Sequence, residues 1–288
     1  MTSAPVTRDV VRRFVAGETI DDALRVTRAL TGEGLRVSLD HLGEDTLDAA
    51  TAHAAVDAYC SLAGRLSDEG LAARAEMSVK LSAVGQALDE SMALDNAQLI
   101  CEAARSAGSS VTIDMEDHTT TDSTLRIVGL LRQDFPSTGA VLQASLHRTE
   151  NDCRALGVPG SRIRLCKGAY LEPPTIAWQR PDDIRSAYLR CLSRLITGGA
   201  LPMAATHDPK LVQATGRLVS DLGGPGFSHE YQMLYGIRRD EQHRLSAAGE
   251  TVRVYVPFGV QWYGYLMRRM AERPANTALF LRALMSRN

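Results

Sequence analysis

Hydrophobic positions along the chain follow two alternating periods. Short runs of apolar and β-branched residues recur, and segments in which apolar residues return every three or four positions separate them. The strand-like runs are 35–42, 76–81, 110–115, 140–146, 162–167, 202–207, 227–234 and 252–258. The helix-like segments between them are 48–69, 94–107, 123–134, 151–156, 182–197, 210–221 and 238–248. Strands that alternate with helices in this way predict a parallel sheet.

The strand-like runs are nearly continuous in apolar residues, as expected of strands that are buried on both faces. Eight of them predict an α/β fold, a (βα)8 TIM-type barrel that is regular or distorted. The length suits a single domain, 1–288, with residues 1–34 as an N-terminal helical segment. An open doubly wound sheet is the alternative, but no GxGxxG motif follows the first run, which weakens a dinucleotide-binding interpretation.

Composition narrows the classes of partner. The net charge is −2, and basic residues are spread along the chain, so neither a nucleic-acid surface nor an anionic-membrane patch is indicated. Small molecules are therefore the expected partners. Five cysteines without a CxxC pair, and no recognisable signal peptide, predict a reducing cytoplasm. No apolar run approaches the roughly 20 residues of a spanning helix, so any membrane contact would be peripheral.

Polar residues gather where the predicted strands end. In a parallel barrel these carboxyl ends meet on one face, and active sites form there. The residues concerned are Asp40, His41, Lys80, Asp114, Glu116, Gln143, Arg164, Lys167, Tyr170, Thr206, His207, Gln232 and Tyr255. Burying unpaired polar groups costs roughly 2 to 7 kcal/mol each, so this set predicts a ligand site or mutual pairing. A purely structural ion pair of Asp114 with Lys80 or Arg164 is the alternative.

Lysine is rare in this chain. Arginine outnumbers it 29 to 3, and the three lysines are Lys80, Lys167 and Lys210. Lys80 and Lys167 each close a predicted strand, whereas Lys210 lies in a polar stretch and is expected to face solvent. The two strand-end lysines are therefore candidate site residues.

The last predicted helix carries two adjacent arginines. It follows the strand-like run 253–258 and Gly259, and it places Tyr265, Arg268 and Arg269 at positions i, i+3 and i+4. These positions share one helical face, where two guanidinium groups and a phenol could bind one carboxylate. A solvated helix end is the alternative for an arginine pair. The polar strand ends favour the binding interpretation.

Six stretches together resemble one family. They are 12–18 (RRFVAGE), 111–116 (VTIDME), 164–170 (RLCKGAY), 205–208 (ATHD), 230–234 (EYQML) and 253–276, and they span most of the chain. On these motifs the chain resembles the proline dehydrogenase family of flavoenzymes, in particular its short monofunctional bacterial members. The KGAY and YLMRR-AERPAN elements are specific when they occur together.

The resemblance implies an FAD site across the strand ends. Its residues would be Met115, Gln143, Arg164, Lys167, Gly168, Ala169, Thr206 and His207. Arg164 would lie beside the reactive N5 atom, where a fixed positive charge stabilises the reduced flavin. The resemblance also implies a substrate site, in which Lys80, Arg268 and Arg269 hold a carboxylate and Asp114 lies near the amine and Arg164. Ala169, Tyr170, Leu234, Tyr255 and Tyr265 would form the walls around the ring.

The implied reaction is oxidation of L-proline to 1-pyrroline-5-carboxylate by hydride transfer to FAD, with a membrane quinone rather than NAD as acceptor. Asp114 and Arg164 would be the catalytic residues. Proline is a zwitterion with an apolar ring. The planar hydrogen-bond donors of an arginine pair suit its carboxylate, and aromatic walls suit its ring. Its amine must become neutral before hydride transfer. We expect the three cations to lower the pKa of the amine, with water or Asp114 receiving the proton.

Some residues depart from the family's usual pattern. Cys166, Leu171 and Asp208 stand where valine, tryptophan and asparagine are frequent. Pro173 and Pro174 will stop any regular strand or helix at that point, so the loop over the flavin can differ.

Three other interpretations remain open from the sequence. A barrel aldolase would use Lys80 or Lys167 as a Schiff-base nucleophile. A metal hydrolase would recruit His207 with Asp208, or the run 116–118, although no established ligand spacing is present and no metal is expected. A catalytically silent ligand-binding barrel is the third interpretation, but it would not explain why so many polar residues lie at the strand ends.

Overall fold

The computed structural model describes the backbone of residues 11–271 and the side chains of residues 11–267. Its centre is a closed barrel in which every strand pairs in parallel with the next, and the first also pairs with the eighth. The strands are β1 (Arg36–His41), β2 (Ala75–Val79), β3 (Val111–Ile113), β4 (Gly139–Gln143), β5 (Arg162–Cys166), β6 (Leu201–Ala205), β7 (Glu230–Leu234) and β8 (Val252–Phe258). The predicted α/β barrel is confirmed.

Helices occupy the connections in the predicted places. They are α1 (Ile20–Gly32), α2 (Ala49–Asp68), α3 (Glu90–Ser106), α4 (Thr121–Asp134), α5 (Thr149–Leu156), α6 (Pro181–Thr197), α7 (Pro209–Leu222), α8 (Arg239–Ala247) and α9 (Trp262–Ala271). Short 3₁₀ helices cover Ala72–Arg74, Leu81–Val84 and His118–Thr120. Residues 11–14 are also helical. The extent of a single domain, and the part of the N-terminal segment before residue 11, remain predictions.

Local sequence explains where several helices begin. Thr19 and Asp22 form a reciprocal capping box at the start of α1. Asp48 and Asp89 cap α2 and α3 by accepting hydrogen bonds from backbone N–H groups. Asp89 explains why α3 starts at Glu90, four residues before the predicted start at 94.

Some predicted strands extend too far at their carboxyl ends. The run 110–115 yields only the short strand β3, and 140–146 yields a strand that ends at Gln143. After Gln143 the chain turns, because the Leu146 N–H donates back to the Gln143 carbonyl at 3.1 Å. The side chains predicted for the site therefore lie largely on the loops that directly follow the strands.

Two helices differ from a regular barrel. In a regular (βα)8 fold the helix after the eighth strand completes the outer ring, but here α1 packs outside the barrel against β1 and β8. Helix α9 contributes Tyr265 and Leu266 to an apolar cluster with Phe14, Val15 and Leu42. Because Leu42 directly follows the carboxyl end of β1, α9 lies over the face where the predicted site residues gather.

The strands alternate between apolar and polar side chains. Residues such as Leu39, Met77 and Leu165 belong to one large apolar core that includes residues of the surrounding helices. The alternate positions include buried polar residues such as Ser38 and Glu76. A TIM barrel normally fills its interior with branched apolar side chains, so the polar interior of this barrel requires an explanation from its contacts. Within residues 11–271 no helix is both long and apolar enough to cross a bilayer.

Candidate active site

Arg164 is the central residue of the barrel interior. It is buried on β5, and its Nη1 atom donates to Asp114 Oδ1 at 2.6 Å and to Ser78 Oγ at 2.7 Å. Tyr255 donates its hydroxyl to the other oxygen of Asp114 at 2.7 Å, and its ring centroid lies 5.4 Å from the guanidinium carbon. Asp114 therefore orients Arg164 and Tyr255 at the same time.

The remaining donors of Arg164 point deeper into the barrel. Its Nη2 atom donates to Ser38 Oγ at 2.8 Å and to Glu76 Oε1 at 2.9 Å, and its Nε donates to Gln232 Oε1 at 2.6 Å. Each of the five guanidinium N–H groups thus has an acceptor. Burial alone would lower the pKa of Arg164, but Asp114 and Glu76 outweigh it and raise the pKa. The positive charge is therefore permanent and fixed in position.

Below Arg164 lies a second set of charges, which we call the inner layer: Glu76, Arg162, Glu230 and Arg253. Arg253 holds Glu230 through two parallel hydrogen bonds of 2.8 and 2.9 Å. Arg162 donates to Glu76. Burial would raise the pKa of Glu76, but Arg253, Arg162 and Arg164 hold it well below its usual value. The inner layer is therefore a set of ionised groups that largely satisfy one another.

Sequence reasoning missed the inner layer. The signal was present, because three of its residues stand two positions before predicted strand-end residues of the same strands, and Glu76 stands four positions before Lys80. Examples are Arg162 before Arg164 and Arg253 before Tyr255. A period of two places such residues on one face of a strand, so several predicted strands carry polar residues on one face and apolar residues on the other.

Lys80 directly follows β2 and is buried. Its Nζ donates to Asp40 Oδ1 at 2.6 Å, and a carboxylate oxygen of Glu44 lies 4.0 Å away. Burial would lower the pKa of Lys80, but Asp40 and Asp114 outweigh it and raise the pKa. Of the two structural ion pairs considered from the sequence, only that of Asp114 with Arg164 appears as a direct contact, whereas Lys80 pairs with Asp40. We call Asp40, Lys80, Asp114 and Tyr255 the rim.

Glu116 joins three neighbouring strand ends. Its side chain accepts hydrogen bonds from the backbone N–H and the hydroxyl of Ser82, which follows β2. Its carbonyl oxygen accepts a hydrogen bond of 2.7 Å from Gln143 Nε2, at the end of β4. Burial raises the pKa of Glu116. Gln143 is therefore held in place by a backbone contact, and Met115, the residue before Glu116, is buried beside them.

Two cations, one after β5 and one on α6, meet a carboxylate after β6. Lys167 Nζ and Arg185 Nε donate to the same oxygen of Asp208, at 2.8 and 3.1 Å. Burial would raise the pKa of Asp208, but Lys167 and Arg185 lower it to about 2. The hydroxyl of the buried Thr206 accepts a hydrogen bond from the Asp208 N–H at 3.1 Å. The departure from asparagine at Asp208 thus places a full negative charge between two cations.

The backbone after Lys167 turns sharply. Gly168 has a φ of +118°, and a Cβ atom there would lie 2.3 Å from Ser145 Oγ. Only glycine fits this combination of conformation and close approach. Ala169 is exposed and Tyr170 is half-buried. This segment therefore runs close to the end of β4 before the chain passes to the surface.

His207 and Leu234 link the ends of β6 and β7. The Leu234 backbone N–H donates to His207 Nε2 at 2.9 Å. The Nε2 atom is therefore the acceptor of a structural hydrogen bond. Leu234 itself is half-buried.

Helix α9 contains all three positions of the predicted carboxylate grip, so Tyr265, Arg268 and Arg269 share a helical face as expected. Tyr265 is buried. The side chains of Arg268 and Arg269 lie outside the described residues, and their part in the site stays a prediction.

Two alternative chemistries find little support in these contacts. A Schiff-base lysine needs a lowered pKa, and the pKa of Lys80 is raised. Among the described side chains no group of three His, Cys, Asp or Glu residues could hold a metal ion. His118 instead pairs with Glu172, and His207 accepts from the backbone.

The fold and the site define a TIM-type barrel enzyme with fixed cations at the carboxyl ends of its strands. The comparisons with known proteins agree. The family described as "Proline dehydrogenase" matches residues 23–282. Proline dehydrogenase 1 of Bacillus subtilis is 36% identical over 98% of this chain and 92% of its own length. Proline dehydrogenase of Deinococcus radiodurans is 38% identical over 96% of this chain and 90% of its own. The chain belongs to the proline dehydrogenase family.

A solved structure shares the fold. Proline utilization A from Bdellovibrio bacteriovorus, in a form inactivated by N-propargylglycine, superposes with a TM-score of 0.85 at 23% identity. The superposition covers 92% of this chain and 33% of that one, so the present chain spans about a third of the longer protein. At this identity the likeness supports the barrel fold.

Proposed function

We propose that this chain oxidises L-proline to 1-pyrroline-5-carboxylate, with FAD as its cofactor and a quinone-type molecule as electron acceptor. Membership of the proline dehydrogenase family supports the reaction. The observation that carries the proposal is the preformed arrangement of Lys80, Asp114, Arg164 and Tyr255 at the strand ends. It offers fixed positive charges to one small anionic ligand, with the aromatic ring of Tyr255 beside Arg164.

The donor set suits FAD. Arg164 supplies a permanent, buried positive charge, and Lys167 and Arg185 supply two further cations close to Thr206. A flavin becomes anionic on reduction and its pyrophosphate is anionic throughout, so both favour cations. Gly168 lets the backbone pass close to Ser145 and Gln143. The proposed cofactor residues are Met115, Gln143, Arg164, Lys167, Gly168, Ala169, Thr206 and His207. When bound, FAD would accept the hydride.

Substrate binding follows from charge and shape. The buried ammonium of Lys80 would bind the carboxylate of proline, and Arg268 and Arg269 would bind it from α9. Two guanidinium groups provide planar donors that match a carboxylate. The proposed walls around the apolar ring are Ala169, Tyr170, Leu234, Tyr255 and Tyr265.

Deprotonation of the amine is assigned to the electrostatics of the site. The neutral amine is favoured when cations surround it, because like charges destabilise its protonated form. Asp114 already accepts hydrogen bonds from Arg164, Ser78 and Tyr255, so its main part is to orient these donors. The proton passes to water or to Asp114. An Asp114→Asn variant with an unchanged rate and pH–rate profile would remove Asp114 from this step.

A hydrophobic acceptor suits the outer surface of the same face. Leu47, Leu171, Val260 and Tyr263 are the most exposed large apolar side chains of the described residues. Each lies in a segment that follows the carboxyl end of a strand. This supports a quinone-type acceptor and a peripheral contact with the membrane that contains it. A location in the cytoplasm, free or at the inner face of that membrane, belongs to the same proposal.

The visible absorption spectrum of the purified protein tests the proposal, recorded before and after anaerobic addition of L-proline. We expect flavin bands that bleach. Cyclopentanecarboxylate, which has the carboxylate but no ring nitrogen, is the control and should leave the bands oxidised. Flavin bands that persist with proline would contradict the substrate, and a colourless protein that FAD cannot reconstitute would contradict the cofactor.

A further inference from the structure

We infer that Asp40 is a positioning residue for substrate binding, which acts through Lys80 by holding its ammonium group in the orientation that receives the substrate carboxylate. The inference rests on the proposed function, because it assigns a partner to a residue of that site. It adds a residue from β1 to a site whose other proposed members come from later strands.

The geometry of the pair is unusual for a structural ion pair. Asp40 is completely buried, and its Oδ1 atom accepts from Lys80 Nζ at 2.6 Å. Its Oδ2 atom is also buried but has no hydrogen-bond partner among the described residues. Buried carboxylate oxygens are normally paired. In the inner layer both oxygens of Glu230 are bound by Arg253.

The ammonium group is held but not saturated. The described residues give Lys80 Nζ one hydrogen bond, to Asp40, although an ammonium can donate three. The nearest oxygen of Glu44 lies at 4.0 Å, beyond hydrogen-bond length. Asp40 therefore fixes one N–H and leaves donor capacity for a carboxylate that arrives at the open end of the barrel.

The charge of Lys80 depends on its acidic neighbours. The titratable groups that face it are Asp40 on β1, Glu44 after β1, Asp114 and Glu116 after β3, and His41. Burial disfavours the ammonium, and Asp40 is the strongest of the groups that oppose this effect. Without the Asp40 charge, the effect of burial is opposed less strongly, so the pKa of Lys80 falls. The ammonium also loses the contact that orients it, so its hold on an anion weakens.

The chain offers a direct readout, because it has only three lysines. Incorporation of ε-¹³C lysine gives three signals, and a Lys80→Met variant assigns the one from Lys80. In the wild type we expect Lys80 to titrate above the usual value of about 10.4. In Asp40→Asn we expect the midpoint to fall by about one pH unit or more.

Kinetics supply the second readout. We expect Asp40→Asn to raise the KM for proline about 10-fold or more, with a smaller change in kcat, because a charge-assisted contact to the substrate is weakened. Asp48→Asn is the matched control. It removes one exposed carboxylate a few residues further along the chain, away from Lys80, and should change neither the KM nor the Lys80 titration.

Each outcome has a distinct meaning. A folded, flavin-loaded Asp40→Asn protein with an unchanged Lys80 titration and an unchanged KM overturns the inference, while bleaching of the wild type by proline leaves the proposed function intact. If proline does not bleach the flavin bands of the wild type, the proposed function itself is contradicted, independently of Asp40. If Asp40→Asn does not fold, Asp40→Glu takes its place. It retains the charge but moves it by one methylene, so we expect Lys80 to stay protonated with a raised KM, and an unchanged KM overturns the inference.

Discussion

The inner layer and the rim are two sets of charges in one barrel, and they differ in how completely they are paired. In the inner layer, Arg253 occupies both oxygens of Glu230. At the rim, the described residues give one buried oxygen of Asp40 no hydrogen-bond partner and give Lys80 a single hydrogen bond. Arg164 connects the two sets, because its donors reach Glu76 below and Asp114 above.

The choice of cation follows the same division. All cations of the inner layer are arginines, whereas the rim uses Lys80. A guanidinium group does not lose its proton in proteins, but a buried lysine does so readily. Loss of an inner carboxylate therefore leaves charges that cannot be relieved. Loss of Asp40 is relieved in part because the pKa of Lys80 can fall, at the cost of its affinity for an anion.

The largest expected effect comes from Glu76→Gln. Glu76 contacts Arg162 and Arg164, and breaking a buried ion pair by removing one partner costs about 3 to 5 kcal/mol. Urea unfolding at pH 7 measures the loss of unfolding free energy. Asp40→Asn should lose clearly less. Equal losses would break the distinction between the two layers.

The pH dependence of stability sharpens the same contrast. The pKa of Glu76 in the folded protein is depressed, because Arg253, Arg162 and Arg164 outweigh its burial. Its contribution is therefore complete above the unfolded-state pKa of about 4.3, and it is lost as the pH falls towards the folded-state pKa. We expect the unfolding free energy of the wild type to fall below that pH, and more steeply than that of Glu76→Gln. Parallel pH profiles would contradict the assignment.

Arg164→Lys tests the residue that joins the layers. A lysine provides three donors in place of five, so it cannot hold Asp114, Ser78 and the inner acceptors together. Loss of a fixed stabilising donor at a reaction centre lowers kcat about 100- to 1,000-fold. Steady-state assays with proline and a dye acceptor measure it. A mild effect on kcat would mean that the site requires only the positive charge at this position, and not the five donors of the guanidinium group.

Tyr255→Phe is expected to have a smaller effect, confined to the rim. It removes the hydrogen bond to Asp114 but keeps the ring beside Arg164. A hydrogen bond to a charged group contributes about 1.5 to 3 kcal/mol to stability, so we expect the unfolding free energy to fall by no more than about this amount. We expect kcat/KM for proline to fall about 10-fold or more, because Asp114 loses one of the contacts that hold it in place. A loss of stability without a loss of kcat/KM would make Tyr255 a structural residue.

The smallest effect is expected at an exposed ion pair. Arg126 forms two hydrogen bonds with Glu90, at 2.8 and 2.7 Å, and both side chains are exposed. Exposed pairs contribute at most about 1 kcal/mol. Arg126→Ala should therefore change neither kcat nor KM, and it should shift the unfolding free energy by less than this amount. A larger loss would show that burial is not what separates the inner layer from other ion pairs.

The sequence predicted the barrel and much of the candidate site. The period of the apolar positions depends only on local geometry, so eight strands and the helices between them were evident. The carboxyl ends of parallel strands share one face in any such barrel. The sequence therefore predicted that Lys80, Asp114, Arg164 and Tyr255 lie near one another. Along several predicted strands the polar residues also recur at every second position. This alternation would have revealed the inner layer.

Pairing was decided by the tertiary structure. Tyr255 and Asp114 are 141 residues apart, and Arg164 and Ser38 are 126 apart. Whether Lys80 meets Asp114 or Asp40 depends on the register between strands and on the closure of the barrel, which no local pattern encodes. The packing of α1 against β1 and β8, and of α9 over the site, is likewise set by contacts between distant parts of the chain. The sequence thus determined which residues reach the carboxyl face, because periodicity is local, and the folded chain decided their partners, because hydrogen bonds and ion pairs act only between groups in contact.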